Sequence, residues 1–240
     1  GQGGRDRGNG TVFLKGIDED NGTLVIDGQG VSSAFSTLPI PPGYIFDNII
    51  IRNEARVVVD VPLEVNDTLS ILTGSILTHT RGNESGLQII ADHIYVDETS
   101  SMDLSAKGYR GGNREGGDST GLTLGGIAGA LYRSGGSYGG YGGVLDGAGS
   151  NPPYGSPLEP VYLGSGGSGG VYGYGGGHGG GRADLTARKS LHVDGAIRAN
   201  GEAGYGYAAG SGSGGFIRIT TSRLKGGGVI TANGGANEVG

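Results

Sequence analysis

The sequence predicts an all-β fold, a single-stranded parallel β-helix (β-solenoid) with long glycine- and tyrosine-rich insertions. Three short phrases, each after an alternating apolar run, nearly repeat one another: Leu-Ser-Ala-Lys-Gly at 104–108, Ile-Arg-Ala-Asn-Gly at 197–201 and Ile-Thr-Ala-Asn-Gly at 230–234. Recurrence of one short unit is typical of stacked repeats. No amphipathic helix of ten residues is found, and a parallel sheet without helical crossovers needs a chain that coils upon itself.

Composition limits the function classes. Glycine accounts for 57 of 240 residues, 35% of the residues are hydrophobic and 17% are charged, with a formal net charge of −6. This apolar content predicts a folded chain, and the acidic balance argues against nucleic acid as a partner. Cysteine is absent, which excludes disulfides and thiol catalysis. We expect no membrane span, and the absence of a signal peptide and of an initial Met indicates a mature or excised segment of a longer chain.

Short Val- and Ile-rich runs predict strands through the first 108 residues. Residues 1–47 form an N-terminal β segment that either makes the first coils or donates a strand to a neighbouring subunit. Residues 48–108 form β-helix coils, with strands of four to six residues separated by turn-forming residues. A strand at Thr23–Asp27 follows an Asn-Gly turn, which is a strong hairpin or corner signal.

Residues 183–240 repeat the pattern as C-terminal coils with a short glycine-rich loop at 202–215. The copies align at two apolar positions, which are Ile94, Leu191 and Leu224 at the first and Leu104, Ile197 and Ile230 at the second. Each copy would supply what a stacked coil needs, namely inward-facing Ile and Leu, a small Ala and a corner Gly with positive φ.

Residues 109–182 form the main insertion, dominated by Gly, Ser and Tyr. Ten of the twelve tyrosines lie between Tyr109 and Tyr207. The segment is either a flexible linker or a set of packed, extended glycine helices related to polyproline II. We favour packing, because so many aromatic side chains would be costly to expose in one patch.

Residues 60–240 resemble glycine-rich parallel β-helix modules of large secreted or cell-surface microbial proteins. The resemblance is carried by Tyr-Gly-Ser-Pro-Leu-Glu-Pro at 154–160, Leu-Gly-Ser-Gly-Gly at 163–167 and Val-Asp-Gly-Ala-Ile-Arg-Ala-Asn-Gly at 193–201. It implies a right-handed parallel β-helix and an adhesive or structural role.

Candidate chemistry is sparse. Four aspartates follow inward-type residues and could form a Ca²⁺-binding or catalytic column, although turn formation after a strand explains them more simply: Asp27, Asp60, Asp97 and Asp194. The four histidines show no metal spacing, and His79 and His93 are expected to point outward. We therefore predict no catalytic residue, no cofactor site and no metal site, with Ca²⁺ as the alternative.

Four Asn-x-Ser/Thr sequons occur at predicted turns within the first 85 residues and are candidate N-glycosylation sites: Asn9, Asn21, Asn66 and Asn83. If they are modified, they favour an extracellular location.

The sequence thus favours a non-enzymatic, extracellular or cell-surface structural protein. It would be a building block of a filament or a module of a giant adhesin, with copies of itself, neighbouring modules or surface polysaccharide as partners. Nucleic-acid binding and membrane insertion are not expected. The alternative is a carbohydrate-binding or polysaccharide-lyase-type β-helix, in which tyrosines stack on sugars.

Overall fold

Two β-sheets and a layer of glycine-rich chain make up the molecule. The computed structural model describes residues 8–18, 20–30, 34–41, 43–144, 149–156 and 161–236. The larger sheet, sheet A, contains β1 (Gly10–Leu14), β2 (Thr23–Asp27), β4 (Ile45–Arg52), β6 (Leu63–Ile71), β8 (Leu87–Val96), β10 (Arg182–Val193), β12 (Phe216–Thr221) and β13 (Leu224–Lys225). The smaller one, sheet B, contains β3 (Ser36–Thr37), β5 (Arg56–Val58), β7 (Ile76–Thr78), β9 (Ser101–Asp103), β11 (Ala196–Arg198) and β14 (Val229–Thr231).

From β2 to β12 the chain alternates between the two sheets. Sheet A has the order β1-β2-β4-β6-β8-β10-β12, with β13 also on β10, and sheet B has the order β3-β5-β7-β9-β11-β14. All ladders are parallel except β1 with β2, which is antiparallel. The long strands of sheet A share a bend, because the ladders β4–β6, β6–β8 and β8–β10 each contain a register shift.

The prediction of an all-β, single-stranded parallel β-helix (β-solenoid) was wrong. The described strands lie in two open sheets, sheet A carries an antiparallel edge strand, and no closed coil is formed in the described part of the chain. Among the residues that the structure describes, helix is limited to two 3-10 turns at Leu124–Gly126 and Val171–Gly173. The period-two pattern predicted parallel ladders, but two open sheets that share one core satisfy that pattern equally well.

Apolar side chains from both sheets fill a single core. In sheet A the register stacks Leu24, Ile49, Leu69, Ile94 and Leu191 in one column, and all five are buried. In sheet B a second buried column is formed by Val57, Leu77, Met102 and Ile197. Full burial of each such side chain contributes on the order of 1.5–3 kcal/mol before the entropy of ordering is subtracted.

The glycine-rich residues form a second kind of interior beside the sheets. Their backbone runs in hydrogen-bonded rows, here called the glycine layer, comprising residues 108–113, 119–123, 134–138, 163–170, 174–181, 199–204, 209–215 and 231–235. The N–H groups of Gly164 and Gly167 donate to row 174–181, those of Gly166 and Gly169 donate to row 119–123, and that of Ser168 donates to Ser134. Gly164 and Gly167, and likewise Gly166 and Gly169, thus address one row at an interval of three, whereas Ser165 donates to the Ser213 hydroxyl. The flexible-linker alternative is wrong for these hydrogen-bonded residues.

Candidate functional site

The aspartate column, which was the alternative to simple turn formation, does not converge on one site. Asp97 and Asp194 follow adjacent strands of sheet A, whereas Asp27 lies further along that sheet and Asp60 follows a strand of sheet B. Each carboxylate caps a turn instead. Asp97 accepts hydrogen bonds from the N–H groups of Thr73 and Thr99, and Asp194 accepts one from the Gly227 N–H. The turn interpretation fits Asp27 and Asp97, which accept an N–H group of the turn that follows them, whereas Asp60 and Asp194 accept donors from a neighbouring loop.

Hydrogen bonding within the turns also changes carboxylate acidity. The side-chain amide of Asn53 and then the N–H of Gln29 lower the pKa of Asp27. Burial opposes ionisation of Asp60, but hydrogen bonds from the hydroxyl and N–H of Thr80 outweigh it and lower its pKa. These aspartates are anions held by donors of the chain. Within the residues described, no group of three His, Asp or Glu side chains is arranged to hold a metal ion.

Asn9, Asn21 and Asn83 lie in turns or beside a strand, whereas Asn66 lies within β6, where the β4–β6 ladder shifts register, so the turn expected at Asn66 was wrong. Asn66 is exposed and donates to Asp47, and Asn21 donates to the same carboxylate. Asn9 and Asn83 are half-buried, with their amides bonded to the Arg56 carbonyl and to Asp60. Asn66 is thus the most accessible of the four to a modifying enzyme.

The expectation that His79 points outward was wrong. His79 is fully buried where sheet B meets the glycine layer. Its Nδ1 lies 2.8 Å from the Thr80 carbonyl oxygen and its Nε2 accepts the Arg182 N–H at 3.2 Å. One nitrogen must donate and the other must accept, so the ring is neutral. Burial lowers the pKa of His79 to about 4. His93 is half-buried and its Nδ1 contacts the Ser190 hydroxyl.

A second buried histidine joins the glycine rows to each other. His178 Nδ1 accepts the Gly111 N–H at 3.0 Å, and the His178 N–H donates to Glu202 at 3.1 Å. Its Nε2 lies 3.0 Å from the Arg81 guanidinium, and Arg114 pairs with Glu202 at 3.3 Å. Burial, followed by the positive charge of Arg81, lowers the pKa of His178. Sequence reasoning missed this cluster, because its members are up to 121 residues apart, from position 81 to position 202.

These histidines position backbone. His79 and His178 each bind backbone N–H groups of glycine-layer residues or of the strand that follows them. A general base must reach a substrate proton, and the nitrogens that could do so are already engaged by the chain. The cluster therefore supports a structural role for these histidines at the junction between the sheets and the glycine layer.

The ends of the two sheets are the most exposed apolar surfaces among the strands. Leu224 and Ile230 extend the two buried core columns by one strand, yet they are 56% and 40% exposed. At the other end of sheet A, β1 exposes Val12, Phe13 and Leu14. Between these ends, Ile90 is the one large apolar strand residue of the described chain that is exposed. Edge strands with free backbone groups and apolar side chains are templates for pairing with another chain.

Exposed tyrosines lie at the ends of several rows of the glycine layer. We call this group the tyrosine rim, and it comprises Tyr132, Tyr172, Tyr174, Tyr205 and Tyr207. Tyr174 and Tyr205 contact edge to face with ring centroids 6.0 Å apart, and Arg133 lies over the Tyr207 ring. Tyr132 and Arg133 also line a pocket of about 350 Å³ with Ser119 and Thr120. Tyr132 and Tyr172 have positive φ, which is uncommon for non-glycine residues and places both rings on tight turns.

Comparison with family models, curated proteins and solved structures found no match for this chain.

Proposed function

We propose that the protein is a non-enzymatic structural subunit of the cell surface or extracellular space that associates end to end. One observation carries the proposal. The core columns of both sheets continue into Leu224 and Ile230, where nothing in the described chain covers them. Burying such side chains against a further strand removes apolar surface from water and pairs free backbone groups.

The covering strand would come from another copy or from a neighbouring module of a longer chain. End-to-end contacts between identical subunits that do not close produce a filament. The opposite end of the molecule offers a matching apolar edge at β1, with Val12, Phe13 and Leu14 exposed. Filament subunit and adhesin module thus differ only in whether the contact is between chains or within one chain.

The proposal includes a location at the cell surface or outside the cell, and N-glycosylation there. Asn66 is exposed in a sequon, and the net charge of −6 would favour a soluble surface without attraction to nucleic acid. The only helices that the structure describes have three residues, so none of them is long enough to cross a membrane. We propose that assembly needs no cofactor, because the turn aspartates are satisfied by donors of the chain itself.

The experiment is electron microscopy and sedimentation of the purified 240-residue chain over a range of concentrations, with and without a calcium chelator. Wild-type protein is expected to form end-to-end assemblies that survive chelation. Ile230→Lys should weaken assembly, because it places a charge on the exposed end of a core column. Ile90→Lys is the matched control, since Ile90 is 41% exposed on a central strand. Monomers at every concentration, or equal loss in both variants, would contradict the proposal.

A second function, the binding of a surface polysaccharide, is favoured by the tyrosine rim. Exposed aromatic rings are flat apolar platforms with a polar tip, and the adjacent pocket adds the hydroxyl groups of Ser119 and Thr120. We expect Tyr132→Ala to reduce retention on insoluble polysaccharide. Tyr141→Ala is the control, because both rings are 78% exposed and Tyr141 lies outside the rim. Equal retention of the two variants would argue against sugar binding there.

A further inference from the structure

One Asn-Gly pair of the chain lies in a different environment from the others. The sequence contains four such pairs, which begin at Asn9, Asn21, Asn200 and Asn233. Asn233 and Gly234 are both exposed, two residues after the end of β14, whereas the other three asparagines are half-buried. The pairs at Asn200 and Asn233 close the repeated Ala-Asn-Gly phrases, so the same local sequence occurs once in a packed and once in an open position.

The pair at Asn200 is held on both sides. Asn200 Oδ1 accepts the Asn233 N–H at 2.8 Å, and the Gly201 N–H donates to the Asn233 carbonyl oxygen at 2.8 Å. A Cβ on Gly201 would collide with a carbonyl oxygen of the next row. The side-chain amides of Asn9 and Asn21 are also bonded, to oxygen atoms of β5 and β4. These three side chains must therefore break a hydrogen bond before they can turn towards the residue that follows.

No such contact holds the side chain of Asn233. Among the described residues, neither its side-chain amide nor the N–H of Gly234 makes a hydrogen bond. A Cβ on Gly234 would meet only the Gly212 carbonyl oxygen, at 3.8 Å, so this peptide lies in open space. The amide carbon of Asn233 can rotate towards the Gly234 nitrogen, and glycine has no side chain to obstruct the approach.

We propose that Asn233 is a site of spontaneous modification, at which the Gly234 nitrogen attacks the side-chain amide carbon. A bond forms between this nitrogen and Cγ, the bond between Cγ and Nδ2 breaks, and ammonia leaves with the proton of the Gly234 N–H. Water then opens the cyclic imide, giving its hydroxyl to a carbonyl carbon and its proton to the nitrogen. Opening at Cγ yields aspartate, and opening at the backbone carbonyl yields isoaspartate. Nothing is oxidised or reduced.

The modification changes the end of the molecule to which the proposed function assigns association. Either product adds one negative charge close to β14, and a carboxylate is costly to bury against an incoming apolar strand. Isoaspartate also lengthens row 231–235 by one backbone carbon, which displaces the Gly235 N–H from the Gly212 carbonyl oxygen, 2.9 Å away. This effect on assembly rests on the proposed function, whereas the modification itself does not. Conversion of Asn233 would thus limit the lifetime of an end-to-end contact.

The first test follows the folded 240-residue chain at mildly alkaline pH, where the attacking nitrogen loses its proton more readily. Trypsin places the four Asn-Gly pairs on separate peptides, because Lys or Arg lies between each pair and the next. Mass spectrometry measures the replacement of NH2 by OH, and an isoaspartate-specific methyltransferase identifies the product. Asn233 should convert on the order of tenfold faster than Asn200, because the bonds at Asn200 and Gly201 must open first.

Unfolding in urea provides the control for local sequence, because Asn200 and Asn233 should then convert at similar rates. Equal rates for the two in the folded protein, or conversion of Asn233 only after unfolding, would overturn the inference. The peptide masses are measured without assembly. A monomeric wild type would therefore count against the proposed function and not against this site.

Gly234→Ala tests the mechanism of the attack. The added methyl group would lie in open space and Gly234 has no positive φ, so the fold should be unchanged, which thermal melting checks. Conversion of Asn233 should nevertheless slow, because a side chain now flanks the attacking nitrogen. Gly227→Ala is the control on the same tryptic peptide, since a Cβ there also meets nothing within 4 Å. Equal conversion of Asn233 in the two variants would overturn the proposed attack.

Asn233→Asp tests the effect of the product on association. It should sediment as smaller assemblies than the wild type at the same concentration. Asn233→Gln is the control, because its side chain stays neutral and its longer chain cyclises more slowly. Equal assembly of the two variants would overturn the proposed effect on the end-to-end contact.

Discussion

The two sheets and the glycine layer bury their chains by opposite means. In the sheets, columns such as Ile49, Leu69 and Ile94 fill the interior with side chains, and the backbone hydrogen bonds run along the ladders. In the glycine layer the interior is backbone, and each row bonds to several neighbours. Side chains can move or be exchanged for others of similar volume, whereas backbone cannot. The sheets should therefore tolerate small changes in side-chain volume, and the glycine layer should not.

The largest effect is expected from Gly177→Ala in the glycine layer. The new methyl group would collide with the Glu202 carbonyl and would lie within 2.8 Å of the Gly212 nitrogen, so two rows must separate. We expect a loss of more than about 3 kcal/mol in the free energy of unfolding, at or above the usual cost of overpacking. Chemical denaturation measures it, and Gly149→Ala, in open space, should leave the midpoint unchanged or slightly raised. Equal denaturation midpoints for Gly177→Ala and Gly149→Ala would show that the glycine layer tolerates added volume.

A smaller effect is expected from pH at the junction between the two regions. Unfolded histidine titrates near 6.5, whereas burial lowers the pKa of folded His79 to about 4. Between these values the unfolded chain binds a proton that the folded chain does not. The stabilisation from neutral His79 is therefore complete above about pH 6.5 and is lost as pH falls towards 4.

The measurement compares wild type with His79→Gln, which keeps one donor and one acceptor without titrating. Between pH 7 and pH 5 the wild type should lose about 2 kcal/mol more than the variant, at about 1.4 kcal/mol per pH unit below 6.5. Asp60 and Lys107 lie near the ring in both proteins, so their contributions cancel in the comparison. Parallel pH curves for the two proteins would show that His79 does not titrate in this way.

The smallest effect is expected in the sheet core. Ile94→Val removes one methyl group from a buried column and should cost about 1 kcal/mol, because neighbouring side chains can relax into the space. Ile90→Val, at a 41% exposed position on the same strand, should change stability by less than about 0.5 kcal/mol. A loss at Ile94 as large as that of Gly177→Ala would show that the sheets are as intolerant as the layer.

Periodicity predicted the strands well and their register in part. The strand at Thr23–Asp27 is confirmed, and the alignment of Ile94 with Leu191 and Leu224 matches the ladders. The alignment of Leu104 with Ile197 was wrong by two residues, because Ile197 lies beside Met102. A slip of two keeps every side chain on its own face, so an alternating pattern cannot detect it.

Contacts that depend on distant backbone could not be predicted from local patterns. His79 alternates with apolar neighbours in the sequence, but it is buried because the chain returns after about a hundred residues to place the Arg182 N–H against its ring. The cluster around His178 arises in the same way, from rows that are far apart in sequence. Glycine content predicted close packing somewhere, but no side-chain pattern identifies which glycine faces which row.

The threefold direction of the bonds from row 163–170 has a mechanical consequence. Its N–H groups are distributed among row 174–181, row 119–123 and Ser134, with Gly167, Gly166 and Ser168 as successive examples. A pull along this row would load bonds to three neighbours at once in shear, so they would have to break together and not one after another. The glycine layer would therefore resist extension along its rows more stiffly than the sheets, whose interior is filled with side chains.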